Sequence, residues 1–243
     1  MKLITWNCQG AFRKKAEAIL VHKPDILVVQ ECEHPDKLVF DSNFKKPTDA
    51  LWFGDNHNKG VGIFSYGKYT LEKLEVHNPN FKFIAPIKVS GKSLEFILFA
   101  IWANHKTDPD GQYVEQVWKA IHYYGEHLQG NNVILAGDFN SNTIWDRPRR
   151  IGNHTDVVTK LAEQNIHSIY HYKFKQIHGK EKHPTFFLQK NLKKPYHIDY
   201  VFATNNLVEG LKKIEVGTLE QWKAFSDHVP LIVKFEMILN NFQ

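Results

Sequence analysis

Five short polar segments border apolar runs in this 243-residue chain, and each carries carboxylate, amide or imidazole side chains. Asn7 follows Leu3-Ile4-Thr5-Trp6, and Glu31 follows Ile26-Leu27-Val28-Val29-Gln30. Asp138 and Asn140 stand in Gly137-Asp138-Phe139-Asn140-Ser141, directly after Val133-Ile134-Leu135-Ala136. Asp199 stands in His197-Ile198-Asp199-Tyr200. Asp227 and His228 sit side by side in Ser226-Asp227-His228-Val229-Pro230, where Leu231-Ile232-Val233 begins. Side chains of these types suit hydrolysis of a phosphodiester. That reaction needs phosphate charge neutralised, a water deprotonated and the leaving oxygen stabilised.

Each residue has a chemical reading and a plainer one. Mg²⁺ takes hard oxygen ligands, keeps several waters and needs only one or two protein carboxylates. Glu31 suits the main ligand, because a charge ending an apolar run needs a reason; otherwise it is a surface carboxylate. Asn7 polarises a phosphate oxygen or orients a ligand, or else forms a turn before Gly10. Asp138 and Asn140 are spaced i, i+2, so an extended backbone points both the same way. Asp138 then accepts a proton or holds the attacking water while Asn140 donates to the phosphate, unless the segment is an ordinary Gly-Asp turn. His228 is the acid/base candidate, because imidazole titrates near neutrality. The chain has 14 histidines, so most need no function.

Strands and helices must alternate to bring these segments together. Apolar runs predict buried strands at Leu3–Asn7, Ile26–Gln30, Val61–Ser65, Leu94–Ala103, Val133–Ala136, Ile198–Ala203 and Val229–Phe235. Helical spacing predicts helices over Ala11–His22, Gln112–Leu128 and Thr155–Gln164. Interleaved elements mean an α/β fold, and strand ends are where such folds assemble active sites. Tyr69–Val76 before Phe83–Val89 looks antiparallel, which points to mixed sheets. Nothing marks a domain boundary, so residues 1–243 read as one domain.

The five segments, in this order, resemble the endonuclease/exonuclease/phosphatase superfamily from Leu3 to about Phe235, with Gly137-Asp138-Phe139-Asn140-Ser141 the most specific match. The resemblance implies a four-layer α/β sandwich, two packed mixed β-sheets flanked by helices, and a cofactor, Mg²⁺ or Mn²⁺. It implies that Asp227 serves the metal or its water and that Asp199 stands behind His228. Gln9 stands where many exonuclease III-like members carry Asp or Asn, and joins Glu31 and Asp227 as a metal-side candidate. His105 matches the deoxyribonuclease I type, the alternative being a His capping a loop. Phe186 and Tyr196 resemble residues that line the sugar pocket of abasic-site endonucleases, and they suit core packing equally well.

Composition bounds the rest. The chain is 42% hydrophobic and 13% aromatic, enough for a sizeable core. No apolar run approaches the ~20 residues a membrane helix needs, and Leu3–Trp6 reads as a strand rather than a secretory leader. Two cysteines, Cys8 and Cys32, are too few for a disulfide framework, so both read as reduced thiols in a cytoplasmic protein. Net charge is +5. Seven lysines against the one acid Glu181 between Lys173 and Lys194, a local +6, account for the whole surplus. Such a patch suits a polyanion, with Lys180, Lys182, Lys193 and Lys194 as contacts; otherwise it is a solvated loop. The expected function is metal-dependent hydrolysis of DNA phosphodiesters. The rivals are a phosphoesterase on a small molecule or lipid headgroup, and an inactive nucleic-acid-binding module.

Overall fold

The structure is a computed structural model describing residues 1–41, 44–92, 94–104, 113–130 and 132–236. His105 lies outside the described residues. In chain order the strands are β1 (Lys2–Asn7), β2 (Ile26–Cys32), β3 (Asp49–Asn56), β4 (Lys59–Ser65), β5 (Thr70–Lys73), β6 (Ile84–Ser90) and β7 (Glu95–Trp102). They continue as β8 (Val133–Asp138), β9 (Ile166–Ser168), β10 (Phe186–Phe187), β11 (Pro195–Tyr196), β12 (Asp199–Thr204), β13 (Leu211–Val216) and β14 (Leu231–Phe235). The helices are α1 (Ala16–Leu20), α2 (Val114–Tyr123), α3 (His154–Glu163), α4 (Ile169–Phe174), α5 (Asn205–Glu209) and α6 (Leu219–Trp222).

Two six-stranded mixed sheets form, ordered β13-β14-β1-β2-β4-β3 and β5-β6-β7-β8-β12-β9. Side chains alternate across each strand, so each sheet has two apolar faces. Leu3, Val28, Ile63 and Val233 of the first sheet meet Ile87, Leu98, Ala136 and Val201 of the second in the central core. The outer face of the first sheet packs Ile4, Trp6 and Val29 against Phe12, Ile19 and Trp222. The outer face of the second packs Phe99, Leu135 and Phe202 against Val117, Ile121, Val157 and Leu161. Three apolar layers separate four layers of backbone, which is the expected sandwich. Each fully buried aliphatic side chain stabilises it by about 1.5–3 kcal/mol.

The local departures have physical causes. The segment expected as one helix over Ala11–His22 is a 3₁₀ turn at Phe12–Lys14 followed by α1. Lys15 breaks it: its Nζ donates to the Cys8 carbonyl at 2.7 Å and ties the segment to the end of β1. The helix expected to reach Leu128 stops at Tyr123, and Gly125–Leu128 closes as a 3₁₀ turn. Strands β3, β9 and β13 carry no long apolar run, because all three are edge strands. The expected β5–β6 antiparallel pair forms, with Leu71 opposite Val89.

Register then gathers the polar segments. Asn7 pairs with Gln30 where β1 and β2 run parallel. Asp138, at the end of β8, pairs with Asp199, at the start of β12. Strands β1 and β8 touch across the sandwich.

Candidate active site

His228 is the centre of the site, and its neighbours hold it from several sides. Its Nδ1 lies 2.9 Å from Asp199 Oδ2, and its Nε2 lies 4.0 Å from Asp138 Oδ2. Thr185 Oγ1 accepts the backbone N–H groups of Ile198 and Asp199, which fixes the start of β12. Ser226 Oγ accepts from the His228 backbone N–H and donates to the Asn7 carbonyl at 2.8 Å. Trp6 Nε1 donates to the His228 carbonyl at 3.2 Å. Asp199 therefore holds Nδ1–H and leaves Nε2 on the side of Asp138. The second Asp199 oxygen, Oδ1, is buried without a hydrogen-bond partner among the described residues.

All three ionisable groups are buried, which sets their proton affinities. Burial and the nearby Asp199 charge push the Asp138 carboxyl well above the usual carboxylate range, against the pull of His228, Asn7 and the Asn140 N–H. Burial opposes protonation of His228, but the Asp199 and Asp138 carboxylates outweigh it and raise its affinity. Asp138 and His228 therefore each hold a proton more tightly than the free side chains do.

Amides surround Asp138. Asn7 Nδ2 donates to Asp138 Oδ2 at 3.0 Å and lies 3.4 Å from Glu31 Oε1. Asn140 Nδ2 donates to the same Asp138 oxygen at 3.0 Å and to the Ala103 carbonyl. Gln9 donates its backbone N–H to Asn7 Oδ1 and its Nε2 to Asp227 Oδ2 at 2.9 Å. Glu31, Asn7, Gln9 and Asp227 thus form one polar chain along the site. Lys59, at the start of β4, pairs with Glu31 Oε2.

The backbone is strained at these positions. Gln9, Glu31 and Asn140 have φ of 56°, 57° and 47°, in the left-handed region that side chains other than Asn and Gly seldom visit. Glu31 occupies a bulge where the β2–β4 register shifts between Gln30 and Cys32. The bulge re-aims a side chain that the regular pleat would place on one apolar face. Gly137 has φ +149°, and an added Cβ would stand 1.8 Å from the Ile101 carbonyl oxygen. Strain of this kind collects at functional sites.

Aromatic rings extend the site outward. Phe186 bridges to His228 with ring centroids 4.6 Å apart; Tyr196 lies 6.3 Å from Phe186, and Trp145 lies 5.0 Å from Tyr196. A cavity of about 340 Å³ beside Asn140 is lined by Asn142, Trp145, Arg147 and Arg150, among others. Lys193 and Lys194 lie on the turn between β10 and β11, the hairpin that carries Phe186 and Tyr196. Lys180 and Lys182 belong to the preceding loop, over residues 175–185. All four lysines are exposed, and none is in an ion pair among the described residues. Lys59, Trp145 and Arg147 were not anticipated, because none borders an apolar run that ends in a polar motif. For Trp145 and Arg147 the one available signal was an aromatic and a cationic residue a few positions after Asn140; Lys59 offered none.

The profile of the endonuclease/exonuclease/phosphatase family matches residues 4–228, from β1 to the imidazole at the site centre. The chain belongs to this family. It is therefore a phosphoester-hydrolysing enzyme. The fold is similar to an AP endonuclease from Archaeoglobus fulgidus, with a TM-score of 0.67 and 18% identity over 97% of this chain and 99% of that one. It is also similar to a 3'-5' exonuclease from Neisseria meningitidis, with a TM-score of 0.63 and 19% identity over 97% and 100%. The endonuclease domain of TRAS1, a telomere-specific non-LTR retrotransposon, gives 0.65 and 16% over 97% and 98%. No curated protein matches the chain by sequence. Among the described residues, no helix is long and apolar enough to cross a membrane.

Proposed function

We propose that the protein is a divalent-metal-dependent nuclease hydrolysing DNA phosphodiester bonds, with residues 1–243 as one catalytic unit. The observation that carries this reading is the buried array Asp199–His228···Asp138, edged by the amides of Asn7 and Asn140. In it, Asp138 positions the attacking water and takes its proton. Asn7 and Asn140 fix the Asp138 carboxylate. His228, oriented by Asp199, presents Nε2 to the phosphate as acid or charge stabiliser.

Glu31, Asp227, Asn7 and Gln9 fit Mg²⁺ or Mn²⁺ as a donor set. They offer two carboxylates and two amide oxygens, the hard ligands such an ion takes. Both carboxylates already draw hydrogen-bond donors, the Lys59 ammonium at Glu31 and the Gln9 amide at Asp227. When bound there, a divalent ion supplies charge neutralisation at the phosphate. DNA as substrate is supported by the row of rings from Phe186 to Trp145, which offers stacking surfaces. The exposed Lys193 and Lys194 on the same hairpin, and relatives named as an AP endonuclease and a 3'-5' exonuclease, support it too. Free Cys8 and Cys32 support a reducing, cytoplasmic setting.

The test is a panel of plasmid, abasic duplex, RNA and small phosphodiesters, with and without chelator. DNA cleavage that stops in chelator and returns with Mg²⁺ or Mn²⁺ is expected, and Glu31→Gln should demand more metal. Full turnover in excess chelator would sink the mechanism. Turnover confined to small phosphodiesters would replace the nuclease by a small-molecule phosphoesterase.

A further inference from the structure

Six of the 14 histidines lie between residues 154 and 197, and several of them gather behind the catalytic loop in a cluster the proposed chemistry does not use. His154 opens α3, His171 stands on α4, and His178 and Glu181 come from the 175–185 loop. His171 Nε2 lies 3.1 Å from Glu181 Oε1, and His154 Nε2 lies 3.3 Å from His178 Nδ1. Ligand atoms of His171, His178 and Glu181 all fall within 4.8 Å of one another. Around tetrahedral zinc, with Zn–N of 2.0–2.1 Å, neighbouring ligand atoms stand about 3.4 Å apart.

The groups around the cluster set the tautomers. His171 Nδ1 is 2.7 Å from Ser168 Oγ, and His154 Nδ1 is 2.8 Å from Ser141 Oγ. With a metal bound, each serine can hold the Nδ1 proton and free Nε2 as a ligand atom facing the cluster; without one, the His171 Nε2–H donates to Glu181. Metal-bound imidazoles are oriented in this way through their other ring nitrogen. Glu181 is held by the Gly179 N–H and by Asn142 Nδ2. Neutral imidazoles and an ionised carboxylate are the forms a metal requires. A cavity of about 180 Å³, lined in part by His167, His171 and His178, gives a route in.

We propose that His154, His171, His178 and Glu181 form a zinc site, separate from the catalytic centre, that clamps the 175–185 loop to α3 and α4. Three imidazoles and one carboxylate suit Zn²⁺ and disfavour Mg²⁺. His171 and His178 now stack with centroids 3.4 Å apart, so binding turns the His178 ring to aim its nitrogen. His178 stays neutral as a ligand, its one proton held on the ring nitrogen that does not bind the metal. The clamp reaches the active site through Ser141 and Asn142, which directly follow Asn140.

The test uses the full chain stripped with chelator, then dialysed against Zn²⁺ and assayed for bound metal. An E31Q/D227N variant, which lacks the candidate catalytic carboxylates, should retain one zinc per chain, and His178→Asn should lose it. His178 lies outside helix and strand, so this variant preserves the secondary structure; circular dichroism without metal checks that it does. Zinc at about a hundredfold excess over its Kd should raise Tm by about 5–10 °C in wild type and not in His178→Asn. Co²⁺ in place of zinc should give the visible absorption of a tetrahedral site in wild type alone. No retained zinc in E31Q/D227N, or equal thermal shifts in wild type and His178→Asn, would overturn the proposal and leave the cluster a hydrogen-bonded clamp.

Discussion

At the scale of single residues, His228 and Asp138 depend on each other. Their facing atoms are 4.0 Å apart, and each shifts the other's proton affinity. Positioned proton transfer contributes roughly 10²–10⁴-fold to rate, so His228→Ala and Asp138→Ala should each lose on that order in kcat with the fold intact. Residues acting as a unit are not additive, and the double variant should lose far less than the product. Asp199→Asn keeps the shape but no longer fixes Nδ1–H, and should also slow turnover. Steady-state kinetics of the four variants decide it; independent, multiplying losses would show that the two groups serve separate steps.

At the scale of elements, close backbone approach and one loop matter most. Gly137 lets β8 pass the Ile101 carbonyl of β7, where a Cβ would stand 1.8 Å away. Gly137→Ala must spread the two strands or twist the chain, and should cost more than about 3 kcal/mol in denaturant unfolding. An unchanged midpoint would show that the sheet yields there at no cost. The lysines make a second case. Each phosphate contact contributes roughly −0.9 to the slope of log affinity against log salt on duplex DNA. Replacing Lys180, Lys182, Lys193 and Lys194 by Gln should weaken DNA binding and flatten that slope, while a small chromogenic phosphodiester turns over as before. Binding is read with Ca²⁺ in place of Mg²⁺ to suppress cleavage. Because the four lysines divide between two loops, the pairs 193/194 and 180/182 should be tested apart; identical slopes throughout would make the patch a solvated face.

At the scale of the molecule, buried histidines make the fold acid-sensitive. His197 is 3% exposed, donates Nδ1–H to the His183 carbonyl and leaves Nε2 without a partner among the described residues. Burial lowers its affinity from 6.5 to about 4, against the pull of the His183 carbonyl, Glu181 and Asp199, with His171 opposing protonation. A base depressed in the folded state binds its proton more readily when unfolded. Its contribution is complete above about pH 6.5 and fades as pH falls toward 4. For His197 the loss between pH 7 and 5 is about 2 kcal/mol. Urea unfolding in chelator should show His197→Asn losing less than wild type over that interval, whatever its stability at pH 7. An equal loss in both would move the acid sensitivity to other groups.

The sequence by itself determined the class of fold and the polar strand-end residues that the fold brings together. Asp138, Asn140, Asp199, Asp227 and His228 were legible because a polar group at the border of an apolar run stands out locally. The strands bearing them were legible because those runs are buried on both faces. Such runs, however, carry no alternation, so they do not encode which neighbour a strand meets or in what register. Only the tertiary structure set Asp199 against His228, 29 positions away, and Lys59 against Glu31. It alone broke the first helix at Lys15, through a bond to a strand-end carbonyl, and divided the lysines between two loops. The gathering of His154, His171, His178 and Glu181 is of the same kind. Three of the four come from within 11 positions, yet their meeting depends on the packing of α3, α4 and a loop that has no periodic pattern to read.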